Sequence, residues 1–459
     1  MFYWIIIFLL SATIPETAYS DARDETPLLV NLSTEQKLQP LFLSQFIDLN
    51  SGLTSAYIDK LEQVLQFDLG HSGHFQLLSP TRERTSLAIN KALNDPGISR
   101  EWKGLNALYV VKIQIREKQL EASLLSVNAN SLKTFEGFTL SGEISQDRQQ
   151  LHQLADALIK SLFGTPGIAS THILFTRKYR IEALNKWNSE LWECDYDGAN
   201  ARKVMDDQSG YCVTPIYIPP KPGYQSSMFF YVSYKKGQPK IYLGSLVSGE
   251  GQQLTQLRGN QLMPAISPQR DKIAFISDIT GNPDLFLQDF SPEKGPLGKP
   301  RQIFTTHQAT QGSPTFSPDG KKIAFVSNKD GSPRIYVLDI PLPETKLKDI
   351  KARLISRINR ESSAPCWSPD GTKLAFCART GDARQIWIYD FQNDEEWQLT
   401  ENGGNKENPS WAPDSLHLVY NSTGQQNAEL FLINLNDPRA IKILEELRGE
   451  KRFPSWEPR

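Results

Sequence analysis

The chain has 459 residues, with 50 basic and 52 acidic side chains and six histidines, giving a formal net charge of −2 at pH 7. That length is ample for two domains, while the balanced charge, with no basic run, argues against nucleic acid or an anionic membrane surface as the main partner. Twenty-nine glycines, 29 prolines and 10% aromatic residues favour a turn-rich β protein.

Residues 1–20, MFYWIIIFLLSATIPETAYS, hold an apolar run over 2–10 followed by small residues, with Ala18-Tyr19-Ser20 as a candidate cleavage site. The run fits a signal-peptide core and is too short to cross a bilayer, so 1–20 reads as an export signal, although the usual basic start is missing. An uncleaved anchor is the competing reading. Later stretches are too short in apolar residues to span a membrane.

From 21 to 165 the pattern predicts an α/β domain. PLLVNL and QPLFLSQFIDL read as strands, and Ala56, Tyr57, Leu61, Val64, Leu65 and Leu69 recur at helical spacing over 54–69. HFQLLS (74–79) follows as a strand, 84–93 as a short helix, then ALYVVKIQI, QLEASLLSV and TFEGFTLSG as three strands. Leu151, Leu154, Ala155, Leu158, Ile159 and Leu162 mark a closing helix. His71-Ser72-Gly73-His74 could suggest a metal clamp, but at a helix end the same residues serve as a solvated turn, and no metal is expected there.

After the linker Gly164-Thr165-Pro166-Gly167 the chain repeats itself over 170–459. A Pro-x-x-x-Pro anchor occurs at Pro215/Pro219, Pro264/Pro268, Pro314/Pro318, Pro365/Pro369, Pro409/Pro413 and Pro454/Pro458, at intervals of 49, 50, 51, 44 and 45 residues. Between anchors come strands such as KIAFVS (322–327), a polar turn, a strand such as RIYVLDI, and a weaker one such as WQLT. Four strands per repeat of this length predict β-propeller blades. The last anchor has no blade after it, and HILFTRKY (172–179) has no anchor before it. Joining them completes a sixth blade from both ends and removes two open sheet edges. The fold class expected is an α/β N-terminal domain followed by an all-β six-bladed propeller.

Chemical motifs are sparse. There is no GxSxG elbow, no GxGxxG and no GxxxxGK[ST], and the SPDG turns lack the SxDxGxTW ending of Asp-box glycosidases. Asp319, Asp370 and Asp414 recur at one repeat position, where turn formation accounts for them. Phe316, Trp367, Trp411 and Trp456 read as blade core. Cys366 and Cys377 flank one hairpin, so a bridge and two buried thiols are both open, and the paired CxxC spacing of a zinc site is missing. No catalytic residues, metal or cofactor are expected.

DLGHSGHFQLLS (68–79), LFGTPG ahead of the first repeat, the SPDG repeats and the terminal FPSWEP together resemble the TolB family, periplasmic components of the Tol-Pal envelope system. The resemblance covers nearly the whole mature chain. It implies a monomeric, non-enzymatic periplasmic adaptor, associated with membranes only through its partners, that supports outer-membrane integrity and cell division. Two partners follow from it. The peptidoglycan-associated lipoprotein Pal would dock over the channel mouth, which carries over to Asn260, Met263, Gly312 and Ser313 and, by blade equivalence, to Ser363, Ala364, Asn405 and Asn408. TolA would engage the mature N-terminal segment, including Asp21, Glu25, Leu28 and Val30. This chain departs from the family at Asn260, where a histidine is expected, at Met263, which replaces a small residue, and in the segment DARDETPLLVNL. Two other classes compete: a propeller peptidase or lyase, which would need convergent carboxylates or histidines at the mouth, and a glycan or small-molecule sensor, which would need exposed aromatics there.

Overall fold

The structure is a computed structural model that describes residues 38–205, 211–401, 403–424 and 427–459. The expected signal peptide, the PLLVNL strand and the TolA-like positions Asp21, Glu25, Leu28 and Val30 lie outside the described residues.

The N-terminal α/β region is built on a sheet of β1 (Gln39–Leu43), β2 (Ile47–Asp48), β3 (Phe75–Leu77), β4 (Tyr109–Arg116), β5 (Gln119–Ser126) and β6 (Ser131–Thr139), in the order β3-β1-β4-β5-β6 with β2 beside β4. β1 runs parallel to β3 and β4, and β4 to β6 form an antiparallel meander. Because neighbouring side chains on a strand point to opposite faces, Leu41 and Val111 pack under α1 (Ser55–Gly70) and α4 (Ile144–Phe163). Phe42 and Val110 pack on the other face with α2 (Arg82–Asn90) and α3 (Ile98–Gly104). Thr54 and Thr81 cap the first turns of α1 and α2, their hydroxyls accepting from the Tyr57 and Arg84 amides. Gly164, at φ 72°, ends α4 in the left-handed conformation that glycine adopts without strain. α3 was not expected from the sequence. It is seven residues long, begins after Gly97 without a side-chain cap, and is held by Trp102, which is fully buried.

The propeller follows as six four-stranded sheets among the described residues. Blades one to five begin with Cys212–Tyr217, Gln261–Ile266, Gln311–Phe316, Ser362–Trp367 and Asn405–Trp411. The sixth combines β7 (His172–Ile181), β8 (Lys186–Asp195) and β9 (Arg202–Met205) with the closing strand Glu450–Trp456, which lies antiparallel to β7 with Trp456 opposite Ile173. Both ends of the array therefore meet in one blade, as the anchor pattern predicts. Phe316, Trp367, Trp411 and Trp456 are buried. In blade three the Ser317 hydroxyl accepts from the Lys322 amide at 2.9 Å and Asp319 accepts from the Lys321 amide at 3.0 Å, so the recurrent serine and carboxylate build the turn. Cys366 and Cys377 remain thiols: Cys366 pairs with Ala375 and Cys377 with Ser363, so the two are out of register across the hairpin.

The 71–74 loop is not a solvated turn. It docks on blade five, where His417 Nε2 donates to the His71 carbonyl at 2.8 Å and Asn436 Nδ2 to the Gly73 carbonyl at 2.9 Å. Phe67 and Leu69 in the last turn of α1 accept from the His71 and Ser72 amides, while the propeller supplies donors to the two carbonyls just past the helix. A Cβ on Gly73 would stand 2.6 Å from Leu416 Cδ2. Further along the junction Tyr196 donates to Asp68 at 2.7 Å, Arg148 pairs with Asp195 and Asp197, and Arg459 pairs with Asp156. One apolar core runs across it, from Leu65 and Leu158 to Val419 and Trp456.

Candidate functional site: the propeller mouth

The first strand of each blade contacts the first strands of its neighbours, so these six strands line the central channel. Each carries the same irregularity. Pairing with the second strand shifts register between Val213 and Ile216, Leu262 and Ala265, Gly312 and Thr315, Ser363 and Cys366, Glu407 and Ser410, and Arg452 and Ser455. At each shift the residue before the anchor proline has a positive φ: Thr214 53°, Met263 52°, Ser313 43°, Ala364 49°, Asn408 54° and Phe453 53°. None is glycine. A left-handed L-residue costs about 1–2 kcal/mol, so a sixfold repeat of it needs support from its surroundings.

The support comes from the preceding blade. The Thr214 amide donates to Thr176 Oγ1 at 3.2 Å, the Ser313 amide to Met263 Sδ at 3.1 Å, the Asn408 amide to the Cys377 sulfur, and the Phe453 amide to Asn421 Oδ1 at 3.2 Å. Four of the six bulges are thus pinned by their amides to the preceding blade, and the Met263 sulfur is tied in turn to Ser313, so much of the ring is preorganised.

The eight positions assigned to the mouth from the sequence divide into two groups. Met263, Ser313, Ala364 and Asn408 are four of the six left-handed residues, and Met263 and Ser313 touch across blades. The other four flank them and hold local structure. Asn260 bonds Asp278 through its amide N–H and its side chain, both at 2.7 Å, and Asn405 Oδ1 accepts from the Arg384 amide at 2.9 Å. Ser363 Oγ lies 3.0 Å from Cys377 Sγ, and Gly312 sits beside Met263, where a Cβ would meet Sδ at 3.6 Å. Asn408 also donates its side-chain amide to Asn421 at 2.9 Å. Thr214 and Phe453 complete the ring and were missed by sequence reasoning, although the residue before each anchor proline identifies them.

The six bulge residues themselves, threonine, methionine, serine, alanine, asparagine and phenylalanine, carry no group that titrates near neutrality, and charged residues flank them on the same strands, with Arg452 paired to Glu450 at 2.9 Å. The nearby charges Arg384 and Glu407 are paired at 3.0 Å, and burial pushes the Cys377 thiol up, away from a reactive thiolate. Among the described residues one group has metal-ligand spacing, Asp68, His152 and Asp197. It lies at the domain junction, and its carboxylates already accept from Tyr196, His152, Arg148 and the Ala199 amide. The opposite, turn-side opening is a bowl of about 1170 Å³ with Pro268, Pro318, Pro369, Pro458 and exposed Tyr224 in its wall. No helix among the described residues is long and apolar enough to cross a membrane.

Comparison with known proteins agrees with this architecture. Residues 159–459 match the family model described as the TolB beta propeller domain. A TolB homolog of Protochlamydia amoebophila is 51% identical over 407 residues, covering 88% of this chain and 87% of that protein. One from Chlamydia pneumoniae is 40% identical over 372 residues, covering 81% and 83%. The crystal structure of TolB from Acinetobacter baumannii superposes with a TM-score of 0.72 over 92% of this chain and 97% of that one, at 23% identity, and so shows the same fold. With a family model spanning the whole propeller and relatives alike over most of their length, the chain belongs to the TolB family.

Proposed function

We propose that this protein is a periplasmic, non-enzymatic adaptor of the Tol-Pal system that binds the peptidoglycan-associated lipoprotein Pal at the propeller mouth and TolA through the segment beginning near Asp21, after removal of residues 1–20. In this role it supports outer-membrane integrity and cell division. Family membership supports the class of function. The observation that carries the placement of the Pal contact is the ring of six left-handed residues with neutral side chains, four of which have their amides bonded to the preceding blade before any partner arrives. A surface fixed in this way loses little conformational entropy on docking.

The test is calorimetric titration of the mature protein with the soluble domain of the Pal lipoprotein from the same organism. Met263 is partly exposed at 41%, so Met263→Glu places an unpaired charge in the docking surface and should weaken binding at least tenfold, about 1.4 kcal/mol, while leaving the melting temperature within a few degrees. Unchanged affinity in Met263→Glu and in a second mouth variant, Ala364→Arg, would reject the mouth as the docking surface. No binding by the unaltered protein would reject Pal as the partner.

A further inference from the structure

Five of the six histidines, His71, His74, His152, His172 and His417, gather where the α/β region meets the propeller, while His307 sits on an exposed loop between blades two and three. His417 holds the central position. Its Nδ1 lies 2.6 Å from Asp414 Oδ2 and its Nε2 lies 2.8 Å from the His71 carbonyl oxygen. Asp414 also accepts from the amides of Leu416 and His417 at 2.9 and 3.0 Å; against the effect of burial, the His417 charge and these bonds hold its carboxyl below the usual range, so near neutrality it is a carboxylate. A carboxylate and a carbonyl can only accept, so both ring nitrogens of His417 must carry hydrogen. That makes this buried ring an imidazolium, and one of its two bonds is the hydrogen bond that ties the propeller to the end of α1.

We infer that the contact between the α/β region and the propeller is a proton-operated latch, closed while His417 carries two ring protons and loosened when one leaves. The inference does not depend on which partner binds the mouth. When His417 loses a proton it keeps one N–H, and the adjacent carboxylate competes for it, so the His71 carbonyl is left facing a lone pair.

The groups around His417 set the direction. Asp414 faces it from its own turn, His71 and His74 from the loop between α1 and β3, and Asp437 and Arg439 from beyond the third strand of blade five, beside His71. Burial alone would lower the His417 pKa, but the Asp414 charge and hydrogen bond hold it above the ordinary value near 6.5. The stabilisation from His417 is therefore complete below about pH 6.5 and is lost as pH rises through the higher docked value. His152, beside Asp68, and His172, beside Glu457, are raised in the same way against the effect of burial, and both also face Asp195. His71 and His74 act in the opposite sense. Burial lowers both, so their contribution is complete above about pH 6.5 and is lost as pH falls. These histidines therefore favour the fold most near pH 6.5, and at the 71–74 loop the alkaline loss belongs to His417, whose second ring proton makes the bond to the His71 carbonyl.

Hydrogen exchange of the intact protein between pH 5.5 and 8.5, corrected for intrinsic rates, tests this at the amides of residues 70–75. Protection should fall from pH 6.5 to 8.5, by about tenfold for each unit by which docking raises the His417 pKa. In His417→Gln, whose side-chain amide can still donate to the His71 carbonyl but carries no charge, the alkaline fall at these amides should shrink at least twofold. His307→Gln should match the unaltered protein. A flat profile in the unaltered protein overturns the inference, as does an unchanged fall in a folded His417→Gln. If that variant does not fold, Asp414→Asn replaces it: without that charge burial lowers the His417 pKa, so the fall between pH 6.5 and 8.5 must shrink at least twofold there, and an unchanged fall overturns the inference.

Discussion

Trp456 tests whether the ring is closed by the last strand of the chain. Its side chain is 3% exposed, its amide donates to Ser410 Oγ of blade five at 2.9 Å, and its indole N–H donates to Thr171 Oγ1 at 2.8 Å. Trp456→Ala removes a buried indole, at a cost of about 3–5 kcal/mol. Thr171 is itself buried and keeps its own donation to the Ile168 carbonyl, so it loses only the partner on its oxygen, adding about 1 kcal/mol. A loss of about 4–6 kcal/mol is a large part of the ~5–15 kcal/mol that holds a typical fold. Trp456→Phe retains most of the burial and should lose only about 1–2 kcal/mol, and Trp397→Ala, at an exposed site, should be near neutral. The assay is urea unfolding followed by far-ultraviolet circular dichroism, paired with hydrogen exchange resolved by blade. Because the closing strand seals a ring, exchange should rise in blades two to four as well as near the C-terminus. A Trp456→Ala protein within 1 kcal/mol of Trp397→Ala, or one whose added exchange stays within blade six, would refute the closed-ring reasoning. Removal of residues 453–459 extends the test and should abolish the cooperative transition.

Gly73→Ala should loosen the domain junction, since φ is 71° and the new Cβ would stand 2.6 Å from Leu416 Cδ2; a cost of about 1–3 kcal/mol should appear as faster exchange at residues 70–75 with the blades unaffected. At the mouth, Ala364→Val should destabilise by about 2 kcal/mol because a β-branched residue tolerates its φ of 49° poorly, whereas Ala364→Gly should fall within about 1 kcal/mol of the parent. Melting temperatures of the two variants, compared with that of the parent, decide it; equal losses would mean that backbone conformation is not what limits that site.

Much of the architecture is legible in the sequence because the propeller writes its period openly. The paired prolines mark the same two points of every blade, one at the bulge and one at the turn, and a sixth pair with no blade after it announces that the chain closes on its own beginning. α1 is legible for a similar reason: Leu61, Val64, Leu65 and Leu69 all face one core. α3 is not, because its stability comes from burying Trp102 rather than from spacing or caps. The 71–74 loop misleads because its partners, His417 and Asn436, lie more than 340 residues away in the chain. The bulges are hidden for a different reason. Left-handed backbone is normally signalled by glycine, yet here six different non-glycine residues adopt it, four of them held by amide bonds to the neighbouring blade that no local pattern discloses.

That difference among the six residues bears on how a partner is read. The bulge repeats the same backbone geometry around the mouth, so geometry alone would accept a partner in six equivalent orientations. Orientation must therefore come from the side chains, and these are distributed unevenly: bulky Met263 and Phe453 lie in blades two and six, while Ser313 and Ala364 present small groups in blades three and four. The asymmetry is reinforced from below. Blade six alone is built from both ends of the repeat array, and blades five and six carry the contacts to the α/β region through His417, Asn436 and Arg148. A partner that presses on Phe453 pushes on the same closing strand that ends in Trp456, Glu457 and Arg459, which bond Thr171, His172 and Asp156 at the junction. One that rests on Ala364 meets a blade with no such connection among these bonds. Which side of the ring a partner loads therefore decides whether its binding energy can reach the junction, and substitutions at Phe453 should alter junction exchange in the bound state where equivalent ones at Ala364 do not.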